Sequence, residues 1–491
     1  MPENEEFTVD GIRLDPGNHE FIMALQFVLN TNRTVYLTGK AGSGKTTFLK
    51  YLKSVSPKNM AVLAPTGVAA INAGGQTIHS FFRIPPSLYT PDDKRLRTRV
   101  PAADIDKSTI YDNFKYDSEK RKVIKSLELL VIDEVSMVRA DLLDVVDTLL
   151  RVYRKNPSPF GGVQVLLIGD TFQLPPVVKR EDRDILFQFY DSEFFFSAKV
   201  MQRVQPIYIE LKKIYRQSDQ NFIDLLNRVR VNQTLEEDFS TFRSHLNPAF
   251  RPSEEDHYII LAPTRNKVDG VNQSKLDELP SRLVTYMAEV VGEFPENMRP
   301  AETDLKLKVG AQVMFIRNDS QKRFYNGKIG TVKELSDNEI KVEIEDNGQS
   351  RILSIEREIW DNVVYHWNEE QQCIDEEVVG RFRQFPLRLA WAITVHKSQG
   401  LTFDRAIIDA NMSFAPGQVY VALSRCRTLE GMVLSSPLQQ RAIINDNRVD
   451  DYIMRQESNA QQSIARLPQL KEEYFRFLLA ELFDFQPLAY A

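Results

Sequence analysis

The eight residues 39–46, Gly-Lys-Ala-Gly-Ser-Gly-Lys-Thr, constrain the fold of this 491-residue chain more than any other segment. They fit the pattern Gly-x-x-x-x-Gly-Lys-[Ser/Thr], follow an apolar run at residues 35–37 and precede a helix-like run at residues 47–52. Such a pattern is typical of a strand, a glycine loop and a helix in a parallel sheet, where backbone N–H groups close around phosphate oxygens. The sequence therefore predicts an α/β fold that binds a nucleotide.

Each polar group of this loop has an expected partner on ATP. Lys45 should reach the β- and γ-phosphates, and the Thr46 hydroxyl should ligate Mg²⁺. The predicted nucleotide-binding residues of the segment are Gly39, Ala41, Gly42, Ser43, Gly44, Lys45, Thr46 and Thr47.

Two series of short apolar runs alternate with helix-like segments. The first series lies at residues 34–38, 60–64, 127–132, 163–168 and 207–211, and the second at 258–264, 387–395, 405–408 and 432–435. One helix-like segment, residues 141–152, places Leu142, Leu143, Val146, Leu149 and Leu150 on one face. Strands that alternate with helices indicate doubly wound parallel sheets, so we expect an α/β chain with two such domains.

Two insertions and a tail complete the predicted organisation. Residues 83–126 are rich in proline and mixed charge, and residues 300–384 have the alternation of β-strands around an Asp346-Asn347-Gly348 turn. The expected boundaries are 1–82 and 111–212 for the first domain, 83–110 for its small insertion, 213–299 and 385–437 for the second domain, 300–384 for its β insertion, and 438–491 for a helical tail. The tail has an apolar face of Leu467, Leu470, Tyr474, Phe475, Leu478 and Leu479, which either docks on the body or binds a partner.

Polar side chains follow two of the buried strands of the first domain. Asp133 and Glu134 come directly after the apolar run 127–132, and Gln173 follows the run 163–168. Because the carboxyl ends of parallel strands meet at one edge of the sheet, these groups should lie near the phosphate loop. We expect Asp133 to hold Mg²⁺, Glu134 to orient the attacking water as a base, and Gln173 to sense the γ-phosphate.

Two arginines are candidates for stabilising the charge of a transferred phosphoryl group. Arg216 lies at the junction of the two predicted domains, and Arg425 lies late in the second. Arginines delivered from a neighbouring domain are a recurrent solution for this charge. The predicted catalytic residues are therefore Lys45, Glu134, Gln173, Arg216 and Arg425.

Composition narrows the class of protein. The longest apolar runs are strand-length, so no membrane span is expected. The N-terminal residues 1–6 have neither a signal nor a transit pattern, and we expect a cytoplasmic protein associated with chromosomal DNA. Two cysteines, Cys373 and Cys426, are too few for a thiolate zinc cluster. A net charge of −6 is weak evidence about nucleic acid, because a strand groove needs only local donors.

Eight segments in a fixed order resemble the motifs of superfamily one DNA helicases of the Pif-one and RecD-like branch, and those of Pif-one helicases most of all. These segments are residues 39–46, 64–70, 76–82, 133–137, 169–176, 215–217, 394–400 and 419–427, within a match over residues 14–437. The resemblance implies two RecA-like domains with ATP and Mg²⁺ in the cleft between them, a wedge in the first insertion and an SH3-like second insertion. It also implies 5′ to 3′ translocation on single-stranded DNA, with Gly400 in the nucleotide site.

Tracking one strand requires backbone donors, small hydroxyls and stacking surfaces on both motor domains. The predicted DNA-binding residues are Pro65, Thr66, Thr77, His79, Ser80, Phe81, Thr264, Arg265, His396, Lys397 and Ser398. For His79, His396 and the Phe81-Phe82 pair, a place in a helix cap or in the core is the competing interpretation. We expect single-stranded DNA and its junctions with duplex as partners, and a chain that functions as a monomer.

One residue departs from the motif pattern of the helicase family, and the function has alternatives. The family usually has an adenine-reading glutamine ahead of the phosphate loop, where this chain has Asn18 in the run 14–19. An asparagine amide can read the same edge from a shorter arm, so strict preference for ATP is open. The alternative functions are a superfamily one motor on RNA or RNA–DNA hybrids, and an ATP-switched binding protein that does not unwind.

Overall fold

The computed structural model describes residues 8–9, 12–13, 15, 17–101, 104, 106–217, 219–253, 256–319, 321, 323–346, 349–409 and 415–483. Three expectations rest on residues outside these ranges. They are the absence of a signal pattern in residues 1–6, the loop residues Asn347 and Gly348 of the predicted turn, and the last eight residues of the tail.

A six-stranded parallel sheet forms the first half of the molecule. A short antiparallel pair, β1 (Thr8–Val9) and β2 (Ile12–Arg13), precedes the strands of this sheet: β3 (Val35–Gly39), β4 (Met60–Ala64), β5 (Gln76–Thr77), β6 (Leu129–Ile132), β7 (Gln164–Ile168) and β8 (Ile207–Leu211). The strand order is β5-β4-β6-β7-β3-β8, with every pair parallel. The predicted doubly wound sheet is therefore confirmed.

Helices cover both faces of this first sheet. They are α1 (His19–Asn30), α2 (Lys45–Val55), α3 (Gly67–Ala73), α4 (Ile78–Phe81), α5 (Ile110–Asn113), α6 (Ser118–Ser126), α7 (Ala140–Arg154), α8 (Arg180–Phe189) and α9 (Lys199–Arg203). The five apolar residues predicted to share a face of α7 are all buried, which confirms its amphipathic pattern. Two core clusters result, one containing α7 and the other α1 and α2.

The segment predicted as a small insertion, residues 83–110, is mostly irregular, and several of its charges pair with one another. Arg95 donates to Asp93 at 2.5 Å, and its guanidinium lies 4.0 Å from the ring centroid of Tyr89. Arg97 donates to Asp104 at 2.5 Å. Arg95 and Arg97 of the mixed charge run therefore form local ion pairs that connect parts of this loop.

The second half contains the following elements in chain order. The helices are α10 (Gln220–Arg230), α11 (Glu236–Ser244), α12 (Arg265–Glu278) and α13 (Gln418–Leu423). The strands are β9 (Ile259–Ala262), β10 (Val284–Met287), β11 (Glu289–Gly292), β12 (Asp304–Leu307), β13 (Gln312–Phe315), β14 (Ile329–Leu335), β15 (Ile340–Asp346), β16 (Gln349–Ile355), β17 (Glu358–Asn368), β18 (Cys373–Gln384), β19 (Leu387–Leu389), β20 (Ala392–Thr394), β21 (Ala406–Ile408) and β22 (Met432–Leu434).

These strands form a second parallel sheet and an antiparallel insertion. The parallel sheet has the order β20-β9-β21-β22, and the largest antiparallel sheet has the order β16-β15-β14-β13-β19. Strand pairing of β15 with β16 confirms the predicted hairpin. The expected start of the β insertion at residue 300 is wrong, because β10 and β11 already pair with β12 and β18. The predicted single strand 387–395 is also wrong, because β19 joins the antiparallel sheet and β20 the parallel one.

The long β17–β18 hairpin reaches across to the first sheet. The Tyr365 hydroxyl accepts a hydrogen bond from the Val62 amide at 2.9 Å, and the Ile374 amide donates to Asn59 Oδ1 at 3.0 Å. Lys53 and Glu376 form an ion pair at 2.9 Å. The insertion is thus held against β4, the residue before it and α2 of the first sheet.

The tail forms α14 (Asn447–Ala465) and α15 (Leu467–Leu482), as the helical pattern predicted. Leu470 is 3% exposed within the core cluster of α1 and α2, and Val449 and Ile453 are buried in the other cluster of the first sheet. Docking on the body is therefore confirmed for this part of the tail, whereas Phe475 is 60% exposed. Across the described ranges, the helices include none with the length and apolar character needed to cross a membrane.

Candidate nucleotide-binding and hydrolysis site

The phosphate loop lies where β3 ends and α2 begins, as predicted. Gly42 and Gly44 have φ angles of 80° and 92°, a region that favours glycine. A Cβ atom on Gly42 would lie 2.4 Å from the Arg216 Cβ atom. The glycine at 42 therefore serves two purposes, because it permits the turn and leaves room for an arginine against the loop.

Two polar groups of the loop, the Lys45 ammonium and the Ser43 hydroxyl, are half-buried and buried, respectively. Lys45 Nζ donates to the carbonyl oxygens of Gly39 at 2.5 Å and of Lys40 at 3.2 Å. Burial lowers the pKa of Lys45, while Asp170 and Glu134 oppose this shift. The hydroxyl of Ser43 is buried without a hydrogen-bond partner among the described residues. A bound phosphate would supply the acceptor that the Ser43 hydroxyl lacks, and it would offer Lys45 an alternative to the two loop carbonyls.

Asp133 and Glu134 form a carboxylate pair at the end of β6. Glu134 has a φ of 50°, and its amide donates to Asp133 Oδ1 at 2.9 Å. Burial, with a smaller effect of the Glu134 charge, raises the pKa of Asp133 to about 7, and burial also raises the pKa of Glu134. Thr46 presents a hydroxyl in the first turn of α2. A hydroxyl and a carboxylate are oxygen ligands of the kind that Mg²⁺ prefers, so the predicted pair fits this ion.

Arg216 and Arg425 approach the loop from the other side. Arg216 Nη1 donates to the Ser424 carbonyl at 3.3 Å, and Arg425 Nε donates to the Val421 carbonyl at 3.0 Å. Burial and the neighbouring Arg425 charge lower the pKa of Arg216 to about 9. Neither arginine forms a salt bridge within the described part of the chain. Arg425 is buried and Arg216 is half-buried. Because these two neighbouring cations lack a carboxylate partner, an anion would stabilise the site that they form.

One cleft of about 860 Å³ contains most of the predicted site. Its lining includes Ala41, Gly42, Ser43, Gly44, Lys45, Thr46, Thr47, Glu134, Gln173, Arg216, Gly400 and Arg425, together with Asn18. Gly39 ends β3 at the start of the loop, and Asp133 is half-buried next to Glu134. The sequence interpretation missed Tyr215, Arg427 and Thr428, which also line the cleft. Tyr215 could have been predicted, since it is the first residue of segment 215–217, one of the eight segments that resemble the helicase motifs.

Both polar atoms of the Asn18 side-chain amide form hydrogen bonds with other residues of the chain. Its Oδ1 accepts from the Phe21 amide at 3.1 Å and so caps α1, and its Nδ2 donates to the Tyr215 hydroxyl at 3.1 Å. The side chain is 4% exposed. Its role in reading adenine stays a prediction, whereas its role as a helix cap is an observation that the local pattern could have indicated.

Several predicted DNA contacts lie at the starts of helices that follow parallel strands. Thr66 caps α3 after β4, and Thr264 precedes α12 after β9; both are exposed. Arg265 and Lys397 are exposed, Ser80 is exposed, and Pro65 is half-buried. Helix N-termini and small hydroxyls suit contacts with phosphate groups. These positions therefore remain available for a strand.

Other predicted DNA contacts have structural roles instead. Phe81 is completely buried between Phe82, Tyr365 and Lys120, so stacking on a base is wrong for this residue. Ser398 is also completely buried, and its hydroxyl donates to the Val395 carbonyl, so its side chain is not a DNA contact.

Three predicted DNA contacts are neither exposed nor completely buried. Thr77 is 9% exposed and caps α4. His79 and His396 are half-buried, and burial lowers the pKa of each imidazole, as the competing interpretation of a packed histidine requires.

Known proteins of one family resemble this chain in sequence. Residues 20–239 match the family model described as PIF1-like helicase. The chain is 31% identical over 428 residues to the ATP-dependent DNA helicase Pif1 of Bdellovibrio bacteriovorus, covering 86% of this chain and 88% of that one. It is 34% identical over 412 residues to the human ATP-dependent DNA helicase PIF1, covering 82% of this chain but only 58% of the human protein.

Solved structures of Bacteroides sp. Pif1 resemble the whole fold. The complex with ADP-AlF4 superposes with a TM-score of 0.81 at 43% identity, covering 90% of this chain and 97% of that one. The same protein bound to single-stranded DNA has the same identity and coverage but a TM-score of 0.62. The fold described above is therefore closer to that of the ADP-AlF4 complex than to that of the complex with single-stranded DNA. With most of the Bdellovibrio relative covered at this identity, the chain belongs to the PIF1-like helicase family, whose members are ATP-dependent DNA helicases.

Proposed function

We propose that this chain moves 5′ to 3′ along single-stranded DNA, driven by ATP hydrolysis in the cleft, and separates duplex at the junction it meets. The supporting observation is the composite cleft itself. Lys45, Glu134 and Gln173 come from the first sheet, whereas Arg425 follows α13 of the second. Because the site is formed by residues of two sheets, nucleotide binding can change the position of one sheet relative to the other.

Each residue of the cleft has a role in the proposed cycle. Lys45 leaves its loop carbonyls for the β- and γ-phosphates, and Glu134 holds the attacking water and accepts its proton. Arg216 and Arg425 move onto the γ-phosphate, where they stabilise the charge that develops in the transition state. Thr46 and Asp133 would hold Mg²⁺, which when bound neutralises charge on the β- and γ-phosphate oxygens.

The proposed track passes over the exposed positions at the starts of α3 and α12. Thr66 on the first sheet and Thr264 with Arg265 on the second would each hold the strand's phosphates. Closure of the cleft would move one set of contacts relative to the other, and hydrolysis would reverse the movement. The Bacteroides relative has been solved with single-stranded DNA, which supports this partner for the present chain. We propose that one copy suffices and that it acts on chromosomal DNA in the cytoplasm.

Strand separation on tailed duplexes tests this function. A duplex with a 5′ single-stranded tail should be unwound with ATP, and one with a 3′ tail should not. Activity on both tails or on the 3′ tail alone would refute the direction. Failure on both with intact ATPase would favour a switch that does not unwind, and stimulation by RNA rather than DNA would favour an RNA motor. Unwinding per protein should be independent of concentration if a monomer suffices.

The variant R425A tests the role of Arg425 in hydrolysis. We expect the turnover of ATP to fall by about 100-fold or more, with little loss of ATP affinity, because the guanidinium acts mainly in the transition state. R441A is the matched control, since Arg441 is an exposed arginine of the same half of the chain. Steady-state ATPase measurements with single-stranded DNA provide both kcat and the KM for ATP. Unchanged turnover in R425A would remove Arg425 from the mechanism.

A further inference from the structure

Arg230, the last residue of α10, bridges the two sheets through buried ion pairs. Its Nη2 donates to Asp170 Oδ1 at 2.9 Å, and its Nη1 lies 3.5 Å from Glu210 Oε1. The side chains of Arg230 and Asp170 are 8% and 0% exposed. Asp170 follows β7 and Glu210 belongs to β8, so both carboxylates are part of the first sheet. The apolar face of α10 packs in the core of the second sheet.

The same guanidinium group also holds the segment that leads to Gln173. Its central carbon lies 4.3 Å from the ring centroid of Phe172. On the other side, a Cβ atom on Gly417 would lie 2.5 Å from the Phe172 carbonyl oxygen and 2.6 Å from that of Gln173. Leu174 is buried in the core cluster of the second sheet. Residues 170–174 therefore directly follow β7 of the first sheet, but several of their contacts are with residues of the second half of the chain.

We propose that Arg230 is a positioning residue for ATP hydrolysis, which places Gln173 in the cleft according to the position of the second sheet. Separation of the sheets must either pull Asp170 and Phe172 along with Arg230 or break a buried ion pair, and both change where Gln173 points. The ion pair thus links the placement of the second sheet to Gln173, which lines the cleft and is expected to sense the γ-phosphate. This inference rests on the proposed function, because it assumes that the cleft hydrolyses ATP.

The experiment compares R230M with R228M in steady-state ATPase with and without single-stranded DNA. Arg228 is a matched control on the same helix, since it donates to both oxygens of Asp238 at 2.9 and 2.7 Å without leaving the second half of the chain. We expect kcat of R230M to fall by about tenfold or more with the KM for ATP within about twofold, and R228M to stay near the parent. R230K keeps the charge and should recover part of kcat.

A purely structural role would give different results. If Arg230 only neutralises Asp170, then folded R230M would keep the parent kcat, and only its thermal unfolding would change. The variants D170N and D170N/R230M provide a check even where R230M folds poorly. A single shared interaction predicts that the double variant loses no more kcat than the worse single variant, and losses that multiply would overturn the proposal.

The inference and the proposed function can fail separately. A parent chain without DNA-stimulated ATPase would refute the proposed function. An active parent with unchanged kcat in folded R230M would refute only the role of Arg230. Binding of a fluorescent ATP analogue should be similar in parent and R230M, and loss of that binding would show that Arg230 supports the nucleotide site itself rather than the placement of Gln173.

Discussion

Replacing Leu470 by alanine should loosen the C-terminal helices from the first sheet. Leu470 is 3% exposed and belongs to the core cluster that also contains residues of α1 and α2. Loss of the buried carbon atoms costs about 2 kcal/mol in transfer free energy, and a residual cavity raises the cost of such changes to about 5 kcal/mol. Because α15 lies on the surface and can settle into the gap, we expect about 2–3 kcal/mol.

Hydrogen exchange measures this cost locally, which suits a large chain whose global unfolding need not be two-state. Undocking that becomes easier by 2–3 kcal/mol should speed exchange of the α15 amides by about 30- to 150-fold. L482A is the matched control, because Leu482 is on the same helix and 71% exposed. Its exchange should stay within about twofold of the parent. Equal exchange in L470A and L482A would refute the docking through Leu470 and favour a partner for this helix.

Two further variants test electrostatics and the nucleotide pocket. Burial, helped by Arg83, lowers the pKa of Lys120 in the folded chain to about 7. The unfolded chain therefore binds the extra proton between about pH 7 and pH 10.4, so stability should rise with pH there by up to about 1.4 kcal/mol per unit. K120M should lack this rise in urea unfolding followed from pH 6 to pH 9, and parallel curves would contradict the assignment. N18A should lose about 1 kcal/mol through its missing helix cap, while the ratio of ATP to GTP hydrolysis stays within about twofold, because both amide atoms already have partners within the chain. A collapse of that ratio would instead show that Asn18 reads the base.

The parts of the site that could be predicted are those in which one short segment contains both the element and its chemistry. The phosphate loop joins a strand to a helix within a dozen residues, and the pair Asp133 and Glu134 directly follows an apolar run. Local pattern was therefore enough to place Lys45, Thr46 and Glu134 at one edge of a sheet. The same reasoning found α7 and the tail, where apolar residues repeat at helical spacing.

The wrong predictions involve residues whose environment is created by distant segments. Phe81 is buried partly by Tyr365, a residue more than 280 positions later in the chain, and the Ser398 carbonyl lies within reach of Arg425. The β insertion begins early because β10 and β11 find partners in β12 and β18. Nothing near residue 230 in the sequence indicates an ion pair with Asp170. Burial and pairing of this kind depend on the tertiary fold rather than on local spacing.

The contacts of the phosphate loop suggest how nucleotide binding is coupled to the relative position of the two sheets. The Ala41 amide donates to the hydroxyl of Tyr420 on α13 at 3.1 Å, and the Gly42 carbonyl accepts from the Tyr215 amide at 2.9 Å. Lys45 meanwhile donates to carbonyls of its own loop. In the proposed cycle, an entering phosphate group would take Lys45 away from these acceptors and draw Arg216 and Arg425 closer. If the residues that contact the loop and the second sheet also bind the anion, a ligand that favours one set of contacts shifts the placement of the sheets.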